Sequence, residues 1–380
     1  MTDAPVSGRR VFFENLDGLR FLSAVAVVLY HGFYNEHPHV VAHPAHRLVR
    51  FLVRRGDLGV NFFFVLSGFL ITYLLLAEQG RTGRVDLPAF YVRRVLRIWP
   101  LYLLIVAIGF LAFPLLKSMF GGAPQENASA WSYLLFLGNF DILRHGLPDA
   151  SILGILWSIA VEEQFYVLWP VLLVVIPRRA LPVVFSSIVL GVVLFRARHR
   201  EDALTLYFHT LAVVSDMSIG GLCAYLCLDV ERFREHVRRL SRPAIAAVYV
   251  VGALLIWWPL EGIGWRVGER VVLAMFFAFV IVEQNYAERS LLKVHRLRLA
   301  TWWGKYTYGV YCWQMVSILI VITTSRIVGL HGSVWGTLLV EGPAGVLLTM
   351  SIAYLSYHAL EKPFLRLKER FTVVPTRVVP

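Results

Sequence analysis

Hydrophobic positions along this chain fall into long runs rather than into a repeating amphipathic or alternating pattern. Taking runs of roughly 17–25 apolar residues as membrane-crossing helices marks about ten, at 16–34, 58–77, 98–116, 154–176, 182–196, 207–228, 243–260, 269–284, 305–325 and 335–358. The stretch 131–140 is too short to cross and has aromatic residues near both ends, which suits an interfacial or re-entrant segment. No fixed-period repeat or long linker divides the chain. The expectation is therefore one all-α, polytopic integral membrane domain over 1–380, with tails at 1–15 and 366–380 and no appended soluble domain.

Composition agrees with that pattern. The chain is 57% hydrophobic and 16% charged, too apolar for an ordinary water-soluble surface. Its net charge of +12 would suit nucleic acid, but the basic residues sit in short clusters between apolar runs, where cytoplasmic loops and anionic lipid headgroups explain them better. With the N-terminus inside, the inner segments carry 23 Lys and Arg and the outer loops 11, which favours both termini in the cytoplasm. Asp17 and Arg20 interrupt the start of the first run, so it does not read as a cleaved signal peptide. The three cysteines lie in apolar segments and read as buried fillers.

The polar residues inside apolar runs carry the candidate chemistry. Arg20 and His31 are eleven residues apart, three helical turns plus roughly 20°, so they share a face about 16 Å apart along the axis. Ionisable groups in a membrane helix are costly and mark working sites, and an imidazole can take a proton from a hydroxyl near neutral pH. Ser67-Gly68 interrupts the second run. Close helix packing accounts for Gly68, and Ser67 is not in the Gly-x-Ser-x-Gly elbow of a hydrolase nucleophile. Arg93, Arg94 and Arg97 serve as a positive-inside anchor and also suit a phosphate-binding patch open to the cytoplasm. Trp157, Ser158, Glu162, Glu163 and Tyr166 open the fourth run, and the adjacent carboxylates point about 100° apart, so they serve different partners. His37, His39, His43 and His46 invite a metal, but no acidic or cysteine ligand completes a familiar spacing, so no metal site is expected.

Together these motifs resemble the acyltransferase 3 family of integral-membrane O-acyltransferases. The marks are Leu16-Asp-Gly-Leu-Arg20 with His31, Phe63-Phe-Val-Leu-Ser67-Gly68, Arg93-Arg94-x-x-Arg97-Ile-x-Pro100, Leu156-Trp157-Ser158-x-x-x-Glu162-Glu163-Gln-Phe165-Tyr166 and Glu361-Lys-Pro363-Phe364. A late aromatic segment, Tyr308-Gly-Val-Tyr311-Cys-Trp313-Gln314, departs from the family where a histidine often stands. Glutamine is no general base, so His31 remains the main candidate.

The resemblance implies transfer of an acyl group, commonly acetyl, from cytoplasmic acyl-coenzyme A, as co-substrate rather than resident cofactor, to a hydroxyl of an envelope glycan or lipid-linked sugar in a bacterial inner membrane. His31 would be the base or a transient acyl carrier, and Arg20 would orient the donor or stabilise the oxyanion. Glu162 or Glu163 would orient Arg20 or His31. Arg93, Arg94 and Arg97 would hold the coenzyme's phosphates, with Ser67, Trp157, Ser158, Glu163 and Tyr166 completing the substrate site. A small-metabolite acceptor such as a macrolide sugar is the alternative within the enzyme class. A proton-coupled transporter is the alternative outside it, although no paired Gly/Pro-interrupted spans mark an inverted repeat.

Overall fold

A computed structural model describes residues 13–119, 122 and 125–372. Among them every regular element is helical, and ten helices have fifteen residues or more. These are α1 (Glu14–Gly32), α2 (Leu58–Thr82), α3 (Leu87–Ala107), α4 (Trp157–Val175) and α5 (Leu181–Arg198), then α6 (Ser215–Asp229), α7 (Arg242–Trp257), α8 (Ile263–Tyr286), α9 (Thr307–Ile327) and α10 (Gly342–Ser356). A short α11 (Lys362–Glu369) follows α10 through a wider, π-type turn at Tyr357–Glu361. Local chemistry sets several of these boundaries. Asp86 accepts the Ala89 amide hydrogen at 2.9 Å and starts α3, and Gly83, with φ at +76°, ends α2 in the left-handed conformation open to glycine.

Among the described residues, six stretches are long and apolar enough to cross a membrane: Pro44–Thr82, Leu87–Met119, Ser151–Val175, Arg178–Arg198, Arg298–Ile327 and Gly336–Glu369. A seventh results if Glu231–Arg238 and α7, bent by 92°, count as one. The expected count of about ten is thus met only in part. Helices do stand where the remaining runs were read, but α1 contains Asp17, Arg20 and His31, α8 contains Arg266, Glu269, Arg270 and Glu283, and α6 has only 15 residues. The expected tails at 1–15 and 366–380 lie largely outside the described residues, and where described the chain is helical from Glu14 and up to Glu369.

The central element is α2, which contributes to both large apolar clusters. One of them gathers residues of α3 and α4 such as Leu101, Tyr102, Phe165 and Trp169. The other gathers residues of α6 and α8 such as Ile219, Phe277 and Ile281. The α2–α6 crossing is nearly backbone to backbone. A Cβ on Gly68 would lie 1.9 Å from the Met217 carbonyl oxygen, and one on Gly220 would lie 2.0 Å from that of Val65. Small residues permit this approach, which supplies dispersion and packing where lipid gives helices little hydrophobic reason to associate. The packing role expected for Gly68 is what the structure contains.

Candidate active site

The opposite face of α2 is left open. Val60, Phe63, Phe64, Ser67, Ile71 and Leu74 recur every three or four residues and form one wall of a cavity of about 310 Å³. Arg20 of α1, Arg94, Arg97 and Ile98 of α3, and Ser158, Glu162 and Tyr166 of α4 face it, each set at helical spacing. Lys305, Tyr308 and Tyr311, Tyr357, and Leu365 and Lys368 of α11 also line it. Gly304 matters locally: its missing Cβ would sit 2.5 Å from the Asp17 carbonyl oxygen, so only glycine lets this turn press on α1 and deliver Lys305.

The charged residues of the lining are mainly basic. Arg20, Arg94, Arg97, Lys305 and Lys368 face it against Asp17 and Glu162. Arg20 donates to Asp17 Oδ1 at 3.1 Å. Arg94 lies over the rings of Phe90 and Tyr166, 5.3 Å from each centroid, and its buried Nε has no hydrogen-bond partner among the described residues. A smaller cavity of about 70 Å³ shares Ile71, Leu74, Arg94, Arg97 and Lys368 with the first and adds Arg93 and Glu78. Arg93 is already occupied there, donating to Glu78 Oε2 at 3.4 Å and to the Phe371 carbonyl at 2.5 Å.

Glu162 is the polar hub of the α4 wall. Ser67 Oγ donates to its Oε1 at 2.8 Å and Tyr166 Oη to its Oε2 at 3.1 Å. It therefore orders Ser67 and, through Tyr166, the ring beneath Arg94, rather than hydrogen-bonding Arg20 or His31. Glu163 diverges as the helical spacing required. It accepts from Trp99 Nε1 at 3.2 Å and does not line the cavity. Trp157 also turns away, packing edge-on against Phe64 and Phe208. Ser158 stays in the lining, 2.5 Å from Tyr311 Oη, which donates to the Ile155 carbonyl at 2.8 Å.

His31 stands apart from these groups. It is half-buried and absent from the cavity lining. Its Nδ1 lies 3.0 Å from the Val27 carbonyl oxygen and 3.2 Å from Gln314 Oε1. Gln314 in turn donates through Nε2 to the carbonyl of Tyr311, a cavity residue, at 3.0 Å. The four loop histidines go to separate tasks: His39 and His46 hydrogen-bond the carbonyls of Gly332 and Phe33, His43 Nδ1 accepts from Ala45, and the His37 ring packs on His331.

The sequence reading passed over Lys305 and Lys368. Lys368 lies where a tail was expected, although Leu365 and Lys368 at i, i+3 already marked one face of a short helix after Pro363.

Comparison with known proteins bears on this arrangement. The chain is 27% identical to the peptidoglycan O-acetyltransferase OatA of Listeria monocytogenes, over 93% of this chain and 56% of that protein. It is 28% identical to the putative peptidoglycan O-acetyltransferase YrhL of Bacillus subtilis, over 93% and 55%. A putative O-acetyltransferase of Staphylococcus aureus is 26% identical over 93% and 57%. The chain thus spans little more than half the length of these relatives. No solved structure matches it. The family model described as an acyltransferase domain matches residues 13–358, all but the ends of the chain, and the chain belongs to that family.

Proposed function

We propose that this chain moves an acyl group, acetyl in the first instance, from cytoplasmic acyl-coenzyme A to a hydroxyl of an envelope glycan or lipid-linked saccharide. The observation that carries the reading is the cationic cavity, in which five basic side chains face two acidic ones around an apolar wall. A coenzyme whose phosphates precede a long uncharged arm matches that division. Guanidinium and ammonium groups pair with phosphate oxygens, and the α2 stripe offers the arm an apolar bed. The relatives' names favour acetyl as the group and a glycan as the acceptor.

In this reading Arg94, Arg97, Lys305 and Lys368 hold the phosphate end, with Arg93 at the rim. All ten long helices cross or enter the membrane of a bacterial inner envelope, both termini are cytoplasmic, and the basic rim opens inward. The eleven residues between Arg20 and His31 correspond to about 16 Å of helix, and the Arg20 side chain leans toward the N-terminus, away from His31. Both cannot touch one carbonyl group. Arg20 therefore orients the donor, and His31 acts at the reacting end. The histidine takes the acceptor hydroxyl proton as the oxygen attacks the thioester carbon. The C–S bond then breaks, and the proton passes from His31 to the departing sulfur.

The test is purified protein in vesicles, supplied with radiolabelled acetyl-coenzyme A and a panel of muropeptide and lipid-linked saccharide acceptors. Alkali-labile label on a saccharide is expected, and no transfer to any member of the panel would overturn the proposal.

A further inference from the structure

We propose that Gln314 is a positioning residue that fixes the tautomer of His31, so that Nδ1 carries the proton and Nε2 presents the lone pair. This rests on the reading of His31 as the base.

The argument begins with burial. Gln314 is 0% exposed, and a buried primary amide must satisfy both its ends. Its Nε2 donates to the Tyr311 carbonyl at 3.0 Å. Rotating the amide by half a turn would set two acceptor oxygens against each other there, so the orientation is fixed. Oε1 is then the atom facing His31 Nδ1 at 3.2 Å, and the Val27 carbonyl oxygen lies 3.0 Å from the same nitrogen. Both oxygens only accept. A bare Nδ1 lone pair between them would be repelled twice, whereas a single N–H can be shared by both. The neutral ring therefore holds its hydrogen on Nδ1, and no hydrogen bond to Nε2 is made within the described residues.

The consequence for the reaction is direct. Nε2 accepts the acceptor's hydroxyl proton and returns it to the leaving sulfur, while the Nδ1 hydrogen stays in place throughout. When the ring becomes cationic, two oxygens already face Nδ1–H. An amide does this without adding a second buried charge, which a carboxylate at the same position would do. The arrangement also ties the base to the cavity, because the carbonyl that orients Gln314 belongs to Tyr311, whose side chain lines the cavity.

The decisive measurement is nitrogen-15 NMR of the intact protein labelled at histidine, with the His31 signals assigned by their loss in His31→Gln. A protonated Nδ1 and an unprotonated Nε2 in the neutral ring are expected, and the reverse pattern would overturn the proposal regardless of activity. Kinetics supply the second arm. Gln314→Met keeps the length and removes the acceptor. It should lower kcat about a hundredfold, the low end of what a positioned base supplies, with KM for acetyl-coenzyme A unchanged. Gln314→Glu presents an acceptor oxygen in either protonation state and should give at least ten times the kcat of the methionine variant. Equal kcat in Gln314→Met and wild type overturns the proposal. If the tautomer is as stated but His31→Ala retains full transfer, the assignment of His31 as base is the part that fails.

Discussion

The two ends of α1 solve different problems with different chemistry. Near its start, Arg20 pairs with Asp17 in a cavity ringed by charges contributed from distant parts of the chain. Near its end, the hydrogen-bonding neighbours of His31 among the described residues are neutral oxygens, from its own helix and from Gln314. Under the proposed function, charge suits the grip on a donor that is itself strongly charged, and neutral dipoles suit His31 as a base, which would change its own charge during each turnover. One helix can carry both because eleven residues separate them.

That contrast can be broken by measurement. The largest effect is expected from His31→Ala, which should lower kcat in the reconstituted assay by about 10²–10⁴-fold and leave KM for acetyl-coenzyme A unchanged. A matching rise in KM would erase the division between the ends. Next, Arg97→Ala should raise that KM about tenfold, the effect of losing one charge-assisted hydrogen bond of about 1.4 kcal/mol. Because the arginine is half-buried, part of the loss should be masked at high ionic strength, so a titration with salt should narrow the gap between variant and wild type. Glu162→Gln should weaken the hydrogen bonds from Ser67 and Tyr166, costing about 1–2 kcal/mol of stability by thermal unfolding in detergent and raising KM only a few-fold through Arg94. The smallest effect belongs to Trp157→Phe. It should cost less than about 1.5 kcal/mol of stability and leave both kinetic constants as they were, since the indole packs outside the cavity.

Helical geometry made much of this legible in advance. The divergence of Glu162 from Glu163 and the packing role of Gly68 follow from 100° per residue and from side-chain size, whereas of Arg20 and His31, placed on one face by the same geometry, only Arg20 lines the cavity. The arginine ladder on α3 was readable too, although its first member is already bonded to Glu78 and Phe371. Three things were not readable. Hydrophobic runs do not separate a helix that crosses lipid from one shielded by its neighbours, and α1 and α8, both read as crossing runs, carry charges within their length. Lys305 and Lys368 reach the cavity from the last fifth of the chain, and their meeting with Arg94 is a product of tertiary packing. The partner of His31 lies 283 residues away, and a glutamine in an aromatic segment does not announce itself as that partner.

The glycine crossing of α2 and α6 also imposes an order in time. Gly68 and Gly220 emerge from the ribosome roughly 8–30 s apart at the usual pace of about 5–20 residues per second. During that interval the small-residue face of α2 lacks its final neighbour. Its other face waits longer, because Lys305 and Lys368 are synthesised later still, so the pocket closes around its charges only after residue 368 has been made.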